Sequence, residues 1–244
     1  MIMKYSTLIL ALVTGCCLAA RAGVYDNTFN SGFSSSGDIP LGNTAGWSDS
    51  RTLSGETGTI GSITVNLDIT GGFNGSLYGY LAYDGVIVTL LNRVGVGSTT
   101  GGSTPFGYGD SGFNITLSSS AANDVHFYQN VSGYNINGTG QLTGTWAPDG
   151  RGISPLSSPG SFDSTLGLQT LNSFNGLSPD GTWTLFLADV VSGGSQPQVI
   201  SYGLEITTVP EPVNMALGIF AGLLIVAGLW RTERVRRLFG KTAA

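Results

Sequence analysis

Residues 62–70 read SITVNLDIT, and this stretch decides the fold class. Apolar Ile63, Val65, Leu67 and Ile69 alternate with polar residues. A period of two places successive side chains on opposite faces of an extended chain. The stretch therefore predicts a β-strand with one face in a hydrophobic core and the other in water.

The same pattern recurs on the C-terminal side of this strand. Residues 77–91, LYGYLAYDGVIVTLL, predict a hairpin that turns at Asp84 and Gly85, where glycine accepts the positive φ of a tight turn. Two later strands are predicted to bury alternate residues: Trp183, Leu185 and Leu187 in WTLFLADV, and Ile200, Tyr202, Leu204 and Ile206 in ISYGLEI.

The composition agrees with a single β domain over residues 23–208. The chain has 244 residues with 38 glycines, and its 41% hydrophobic content is too high for a disordered chain. Gly, Ser, Asn and Pro clusters separate the predicted strands, and no long amphipathic helix appears between them. We therefore predict an all-β fold, an antiparallel β-sandwich of jelly-roll type.

The charge of this domain excludes one class of partner. Residues 23–208 hold three basic residues against thirteen carboxylates, a net charge of −10. Such a domain repels phosphate backbones and gains nothing from counterion release. Nucleic acid is therefore not an expected partner.

The N-terminal residues 1–22 are typical of a secretory signal peptide. Lys4 precedes a short apolar stretch, and Ala20 and Ala22 supply the small residues that signal peptidase requires, with cleavage predicted after Ala22. An alternative is a lipoprotein signal at VTGC, which would leave a lipidated Cys16. On the first interpretation the mature protein has no cysteine and no disulfide.

The C-terminal residues 209–244 combine an apolar run with a basic tail. Residues 213–230 are apolar apart from Asn214, and as a helix they would reach about 27 Å, enough to span a bilayer core. Basic residues then predict that the tail stays in the cytoplasm and the β domain outside. These residues are Arg231, Arg234, Arg236 and Arg237.

A proline pair precedes the apolar run. Val209, Pro210, Glu211 and Pro212 form an extended, accessible hinge, because the prolines oppose continued strand or helix. Together with the span and the arginines, this segment resembles the PEP-CTERM sorting signal. The resemblance implies processing by a membrane enzyme called exosortase, in bacteria that make exopolysaccharide. The alternative is an ordinary single-pass anchor.

A second resemblance covers residues 60–206. The segments 63–95, 142–150 and 174–206 look like the P domain, also called Homo B, of proprotein convertases and some subtilisin-like proteases. The last segment matches best, since its Gly-Thr-Trp-Thr-Leu and the later Asp189 keep the family's order. The resemblance implies a jelly-roll β-sandwich.

The chain also departs from that family. Where the family has a His-x-x-x-Gly-Asp-Leu motif, this chain has Gly71, Gly75, Ser76 and Leu77, so the histidine and aspartate are missing. About forty residues separate the signal from the first predicted strand, and no protease domain precedes the match.

The sequence shows no catalytic motif. His126, flanked by apolar residues, is the one histidine, and no G-x-S-x-G elbow accompanies it. We interpret His126 as structural or surface-exposed and predict a non-catalytic protein. No cofactor is expected, although Asp149 and Asp180, in APDG and SPDG loops, could ligate calcium through carboxylate oxygens. The alternative is that both aspartates bond nearby amides in turns.

The aromatic residues allow two interpretations. Trp146 and Trp183 lie in the segments that resemble the P domain, which favours core positions. The tyrosines in or beside hairpins would stack on sugar rings if they were exposed; these are Tyr78, Tyr80, Tyr83 and Tyr108.

These observations predict an exported surface or extracellular-matrix protein, held at least transiently in the membrane. Its sandwich would serve adhesion or interaction, with exopolysaccharide or protein as partner. One alternative is a module that acts with a subtilisin-like protease, and another is a carbohydrate-binding module.

Overall fold

A computed structural model describes residues 22–97, 105–210 and 212–239, with side chains of the last segment described for 218–231. Several predicted features lie outside these residues, including Ala20, Cys16 and Glu211. The side chains of Arg234, Arg236 and Arg237 lie outside them too. Residues Gly23–Thr208 form one compact unit.

The described residues of the β domain form ten strands in two sheets. The six-stranded sheet has the order β1-β10-β3-β6-β8-β7, and the four-stranded sheet has the order β2-β9-β4-β5. The strands are β1 (Val24–Phe29), β2 (Trp47–Leu53), β3 (Thr59–Thr70), β4 (Leu77–Tyr83), β5 (Val86–Asn92), β6 (Gly112–Ser118), β7 (Asn135–Ile136), β8 (Leu142–Trp146), β9 (Gly181–Asp189) and β10 (Gln198–Val209).

Strand β3 confirms the strand predicted at residues 62–70. The side chains of Ile63, Val65, Leu67 and Ile69 are all buried, and the polar residues between them face outward. The strand pairs antiparallel with β6. Burial of four branched side chains on one face explains why this register is strongly specified.

The predicted hairpin is also confirmed. Strands β4 and β5 pair antiparallel and meet at Asp84 and Gly85, whose φ angles are 48° and 77°. Positive φ at both central residues matches the right-handed twist of the flanking strands.

The two sheets share one hydrophobic core, so the two-layer all-β prediction is confirmed. Trp146 and Trp183 are 5% and 1% exposed and belong to that core. The antiparallel expectation is wrong at one position, because β8 pairs parallel to β6. The jelly-roll topology stays a prediction.

Strand β10 corrects one detail. Tyr202, Leu204 and Ile206 are buried as predicted, but Ile200 is 42% exposed while its neighbour Val199 is buried. The alternation changes phase between residues 199 and 202, which moves Ile200 to the outer face.

A separate helix, α1 (Pro212–Phe239), follows the β domain. Within the described part of the chain, no helix is both long and apolar enough to cross a membrane. The transmembrane helix predicted at 213–230 is therefore not supported.

Candidate functional site

The outer face of the four-stranded sheet carries three partly exposed aromatic side chains. Tyr78 and Tyr80 of β4 and Phe186 of β9 form what we call the aromatic surface. The rings of Tyr80 and Phe186 stack with centroids 4.8 Å apart and planes inclined by 16°. Tyr78 lies edge-on to both, at 6.0 and 6.3 Å.

Strand alternation explains why these rings face outward. On β9, Trp183, Leu185 and Leu187 enter the core, so Phe186 between them must lie on the opposite face. Tyr80 and Phe186 are direct cross-strand partners, which holds their rings side by side. Burial raises the pKa of Tyr78, and the neighbouring Tyr80 adds a smaller contribution in the same direction. The hydroxyl of Tyr78 therefore stays neutral at physiological pH.

Two pairs of hydroxyl groups extend this surface towards the β4–β5 turn. Ser50 and Thr184 lie 2.8 Å apart through their hydroxyl oxygens, and Thr52 and Thr182 lie 2.9 Å apart. The outward-facing side chains of the four strands are uncharged throughout their described lengths. The surface is a neutral area on a domain of net charge −10.

The other two predicted tyrosines belong to the interior. Tyr83 stacks on Trp183 at 4.0 Å, and its hydroxyl donates to the carbonyl of Ser178 at 2.7 Å. Tyr108 is 1% exposed and packs edge-on against Tyr128. The sugar-stacking interpretation is therefore wrong for Tyr83 and Tyr108 and stays a prediction for Tyr78 and Tyr80, which are partly exposed.

A second group of polar residues is buried under the loops. Asp124, His126, Asp149 and Arg151 form what we call the buried ion cluster. His126 and Asp149 have no exposed surface, and His126 Nδ1 lies 2.6 Å from Asp149 Oδ2. His126 Nε2 lies 2.8 Å from the carbonyl oxygen of Val96.

Hydrogen bonds link the four side chains of this cluster. A carbonyl can only accept, so His126 Nε2 donates to Val96, while Nδ1 lies at hydrogen-bonding distance from Asp149. Arg151 Nη1 donates to Asp124 at 2.8 Å and to Asp149 at 3.2 Å. Arg151 therefore contacts both carboxylates of the cluster.

Two pKa shifts follow from this packing. Burial acts to lower the pKa of Arg151, but the charges of Asp149 and Asp124 outweigh it and raise that pKa. Burial and the charge of Asp149 raise the pKa of Asp124. These contacts hold the Val125–Asn130 turn against residues 147–151, which fits the structural interpretation of His126.

The two calcium candidates lie in different environments. Asp149 accepts from His126, Arg151 and the amide of Asn92, at 3.2 Å in the last case. The oxygens of Asp180 accept from the amides of Gly55 and Glu56 at 2.7 and 2.8 Å. Both therefore bond protein donors. Asp149 Oδ1 also accepts from the amide of Arg151 two residues on, as the turn interpretation expects, whereas the amides that Asp180 binds lie in a distant segment of the chain.

No group of three or more His, Cys, Asp or Glu side chains suited to a metal ion occurs among the described residues. Calcium binding therefore stays a prediction at Asp149 and Asp180.

Sequence reasoning missed Phe186 as a surface residue. The signal was available, because the alternation that buries Leu185 and Leu187 also sends Phe186 outward. An aromatic residue within an apolar run is easily assigned to the core, so the outward position passes unnoticed.

Comparisons with known proteins give little beyond this. No protein-family model and no curated relative matches the chain. A chain in the crystal structure of Aeromonas sobria serine protease with the chaperone ORF2 has a TM-score of 0.42 and 15% identity, over 78% of this chain and 28% of that one. The serine protease of Aeromonas sobria alone gives a TM-score of 0.39 and 14% identity, over 77% of this chain and 27% of that one. These values transfer no activity to this chain.

Proposed function

We propose that this chain is an exported, non-catalytic surface protein whose β domain binds polysaccharide. The observation that carries the proposal is the aromatic surface, in which Tyr80 and Phe186 stack at 4.8 Å on the outside of a rigid sheet. A pyranose ring has an apolar C–H face that suits the electron-rich face of an aromatic ring. The hydroxyl groups of the sugar would form hydrogen bonds with the side chains of Ser50, Thr184, Thr52 and Thr182.

The neutral character of this surface supports binding without chemistry. Hydrolysis of a glycosidic bond uses two carboxylates on either side of the bond. Around Tyr78, Tyr80 and Phe186, the outward-facing strand residues are hydroxyl-bearing or apolar. Such a surface holds a ligand but supplies no acid or base to it.

The destination of the protein is part of the proposal and is supported by the sequence alone. The signal peptide at 1–22 would export the domain, and the segment that begins at Val209-Pro210-Glu211-Pro212 would be processed by an exosortase-like enzyme. The protein would then reach the cell surface or the extracellular matrix. Replacement of Pro210 and Pro212 by alanine, followed by cell fractionation and intact mass, tests this part: the change should hold the protein in the membrane with its C-terminus uncleaved.

Binding is tested by affinity electrophoresis of the full-length chain in gels containing dextran, pullulan or curdlan. Tyr80→Ala should lose most of the retardation, because it removes the stacking ring. Tyr80→Phe keeps the ring and should keep most of the retardation. Equal retardation of wild type and Tyr80→Ala in every gel would refute the surface as the binding site. Copurification of a subtilisin-like protease in place of glycan retention would favour the protease-associated alternative.

A further inference from the structure

The six-stranded sheet also carries a polar groove on its outer face, which we call the amide groove. Its volume is about 350 Å³, at the small end of ligand pockets in proteins. It is lined by residues of β3, β6, β8 and β10. The polar side chains among them are Asn66, Asp68, Asn114, Thr116, Thr145 and Ser201.

Strand pairing arranges these side chains in rows. Asn66 lies opposite Thr116, which lies beside Thr145 in the next strand. Asp68 lies opposite Asn114 in the neighbouring row. Strands are about 4.8 Å apart, so the groups form a regular polar grid on rigid backbone.

Much of the hydrogen-bonding capacity of this grid is unused by the described part of the chain. Asn66 Oδ1 accepts from the hydroxyl of Thr116 at 2.7 Å, while its Nδ2 has no partner among the described residues. Asp68 Oδ1 accepts from Gln141 at 2.7 Å, which leaves Oδ2 free. The side chains of Asn114 and Thr145 are exposed and make no protein hydrogen bond among the described residues.

Gly144 also lines the groove. It is an exposed lining residue of β8 and lies beside Ile115, whose side chain is buried in the core.

The charge of the groove limits the ligand. Asp68 is the one charged residue in its lining, and the surrounding domain has a net charge of −10. A uronic acid or phosphate would be repelled, whereas a neutral ligand with many hydroxyls would satisfy both the free donors and the free acceptors.

We infer that the amide groove binds a sugar unit of a neutral polysaccharide and is a second site in addition to the aromatic surface. The inference rests on the proposed function, because it takes polysaccharide as the ligand class. The two sites lie on the outer faces of opposite sheets of one sandwich. One domain therefore contacts two polysaccharide segments and links them.

Isothermal titration calorimetry of the full-length chain tests the inference. The probes are maltohexaose, cellohexaose and laminarihexaose, with an alginate hexamer as the acidic comparison. We expect two sites per chain for at least one neutral probe. Asn114→Ala combined with Thr145→Ala should weaken one site at least about tenfold and leave the other unchanged.

Matched variants separate the two sites. Tyr80→Ala should remove the other site, and Thr28→Ala, on the same sheet but outside the groove, should change neither. If the groove variant leaves the titration unchanged while Tyr80→Ala abolishes binding, the groove inference fails and the proposed function stands. If only the groove variant abolishes binding, the groove stands and the aromatic surface fails. Binding of none of the three neutral probes overturns both, and tighter binding of alginate at the groove overturns the choice of a neutral ligand.

Discussion

His126 Nδ1 lies 2.6 Å from Asp149 Oδ2, and neither side chain has any exposed surface. The pair connects the Val125–Asn130 turn to the loop that contains Asp149, in a region where loops cover the core. It also shares Arg151 with Asp124, so four side chains depend on one another. Removal of one member leaves another buried side chain without its hydrogen-bond partner.

We expect His126→Ala to lower the free energy of unfolding by about 3 kcal/mol, because Asp149 loses its partner while it stays buried. Urea denaturation at pH 7 measures the change. Asn130→Ala, an exposed position at the end of the same turn, should stay within about 0.5 kcal/mol of wild type. Similar losses in the two variants would contradict a special role for the pair.

A second prediction concerns Asp189 at the end of β9. The residue is fully buried; its Oδ1 accepts from the amide of Val191 at 3.1 Å, and Oδ2 has no hydrogen-bond partner within the described part of the chain. Burial raises its pKa, so the folded protein holds this proton more tightly than the unfolded chain does. Stability should therefore fall as pH rises from the ordinary aspartate pKa through the raised value, and stay lower above it.

Asp189→Asn removes this ionisation, and the variant should gain stability relative to wild type at pH 8 but not at pH 3.5. Urea denaturation at the two pH values measures the difference. Asp84→Asn, in the exposed hairpin turn, should show no such pH-dependent gain. A loss of stability in Asp189→Asn that is equal at both pH values would show that the carboxylate acts through hydrogen bonding alone.

A third prediction separates backbone strain from steric collision at two glycines. Gly85 has a φ of 77° and open space where a Cβ would lie. Gly85→Ala should therefore lower the free energy of unfolding by about 1 kcal/mol, because alanine is strained in the left-handed conformation. Gly112, with φ of 101°, would drive a Cβ into the carbonyl oxygen of Ile69. Gly112→Ala should therefore lower the free energy of unfolding by about 3 kcal/mol or more. Thermal unfolding ranks the two variants, and equal midpoints would contradict the steric argument.

A fourth prediction concerns salt. If the aromatic surface binds a neutral sugar through stacking and hydroxyl contacts, the affinity should change less than about twofold between roughly 0.05 and 0.5 M NaCl. Titration of the full-length chain with a neutral glucan at the two salt concentrations measures this. A steep loss of affinity with salt would indicate charge pairing and would contradict a neutral binding surface.

The sequence predicted best where one sheet face is apolar and the other polar. Strand β3 and the β4–β5 hairpin follow this rule, and their register agrees with the structure. Strand β2 escaped prediction because its inward positions are Trp47, Asp49, Arg51 and Leu53, so two charges interrupt the apolar face. Those charges pair with each other at 2.6 Å, which no alternation rule anticipates.

The candidate sites were predictable to different degrees. Tyr78 and Tyr80 could be named, but their exposure depended on which face of β4 entered the core. The amide groove joins β3 to β6 and β8, and the parallel pairing of β6 with β8 brings its lining residues Thr116 and Thr145 together. Long-range pairing of this kind leaves no local periodicity, so the groove could not be predicted from a single strand.

Arg51 also has a consequence for how the protein behaves when it is crowded. It lies on β2, an edge strand, and its guanidinium stacks over Phe29 and Phe33 at 5.2 and 5.5 Å while it donates to Asp49. A further strand added to this edge would have to cover that charged pair, which opposes edge-to-edge aggregation. Many copies could therefore accumulate side by side without their sheets merging into fibrils.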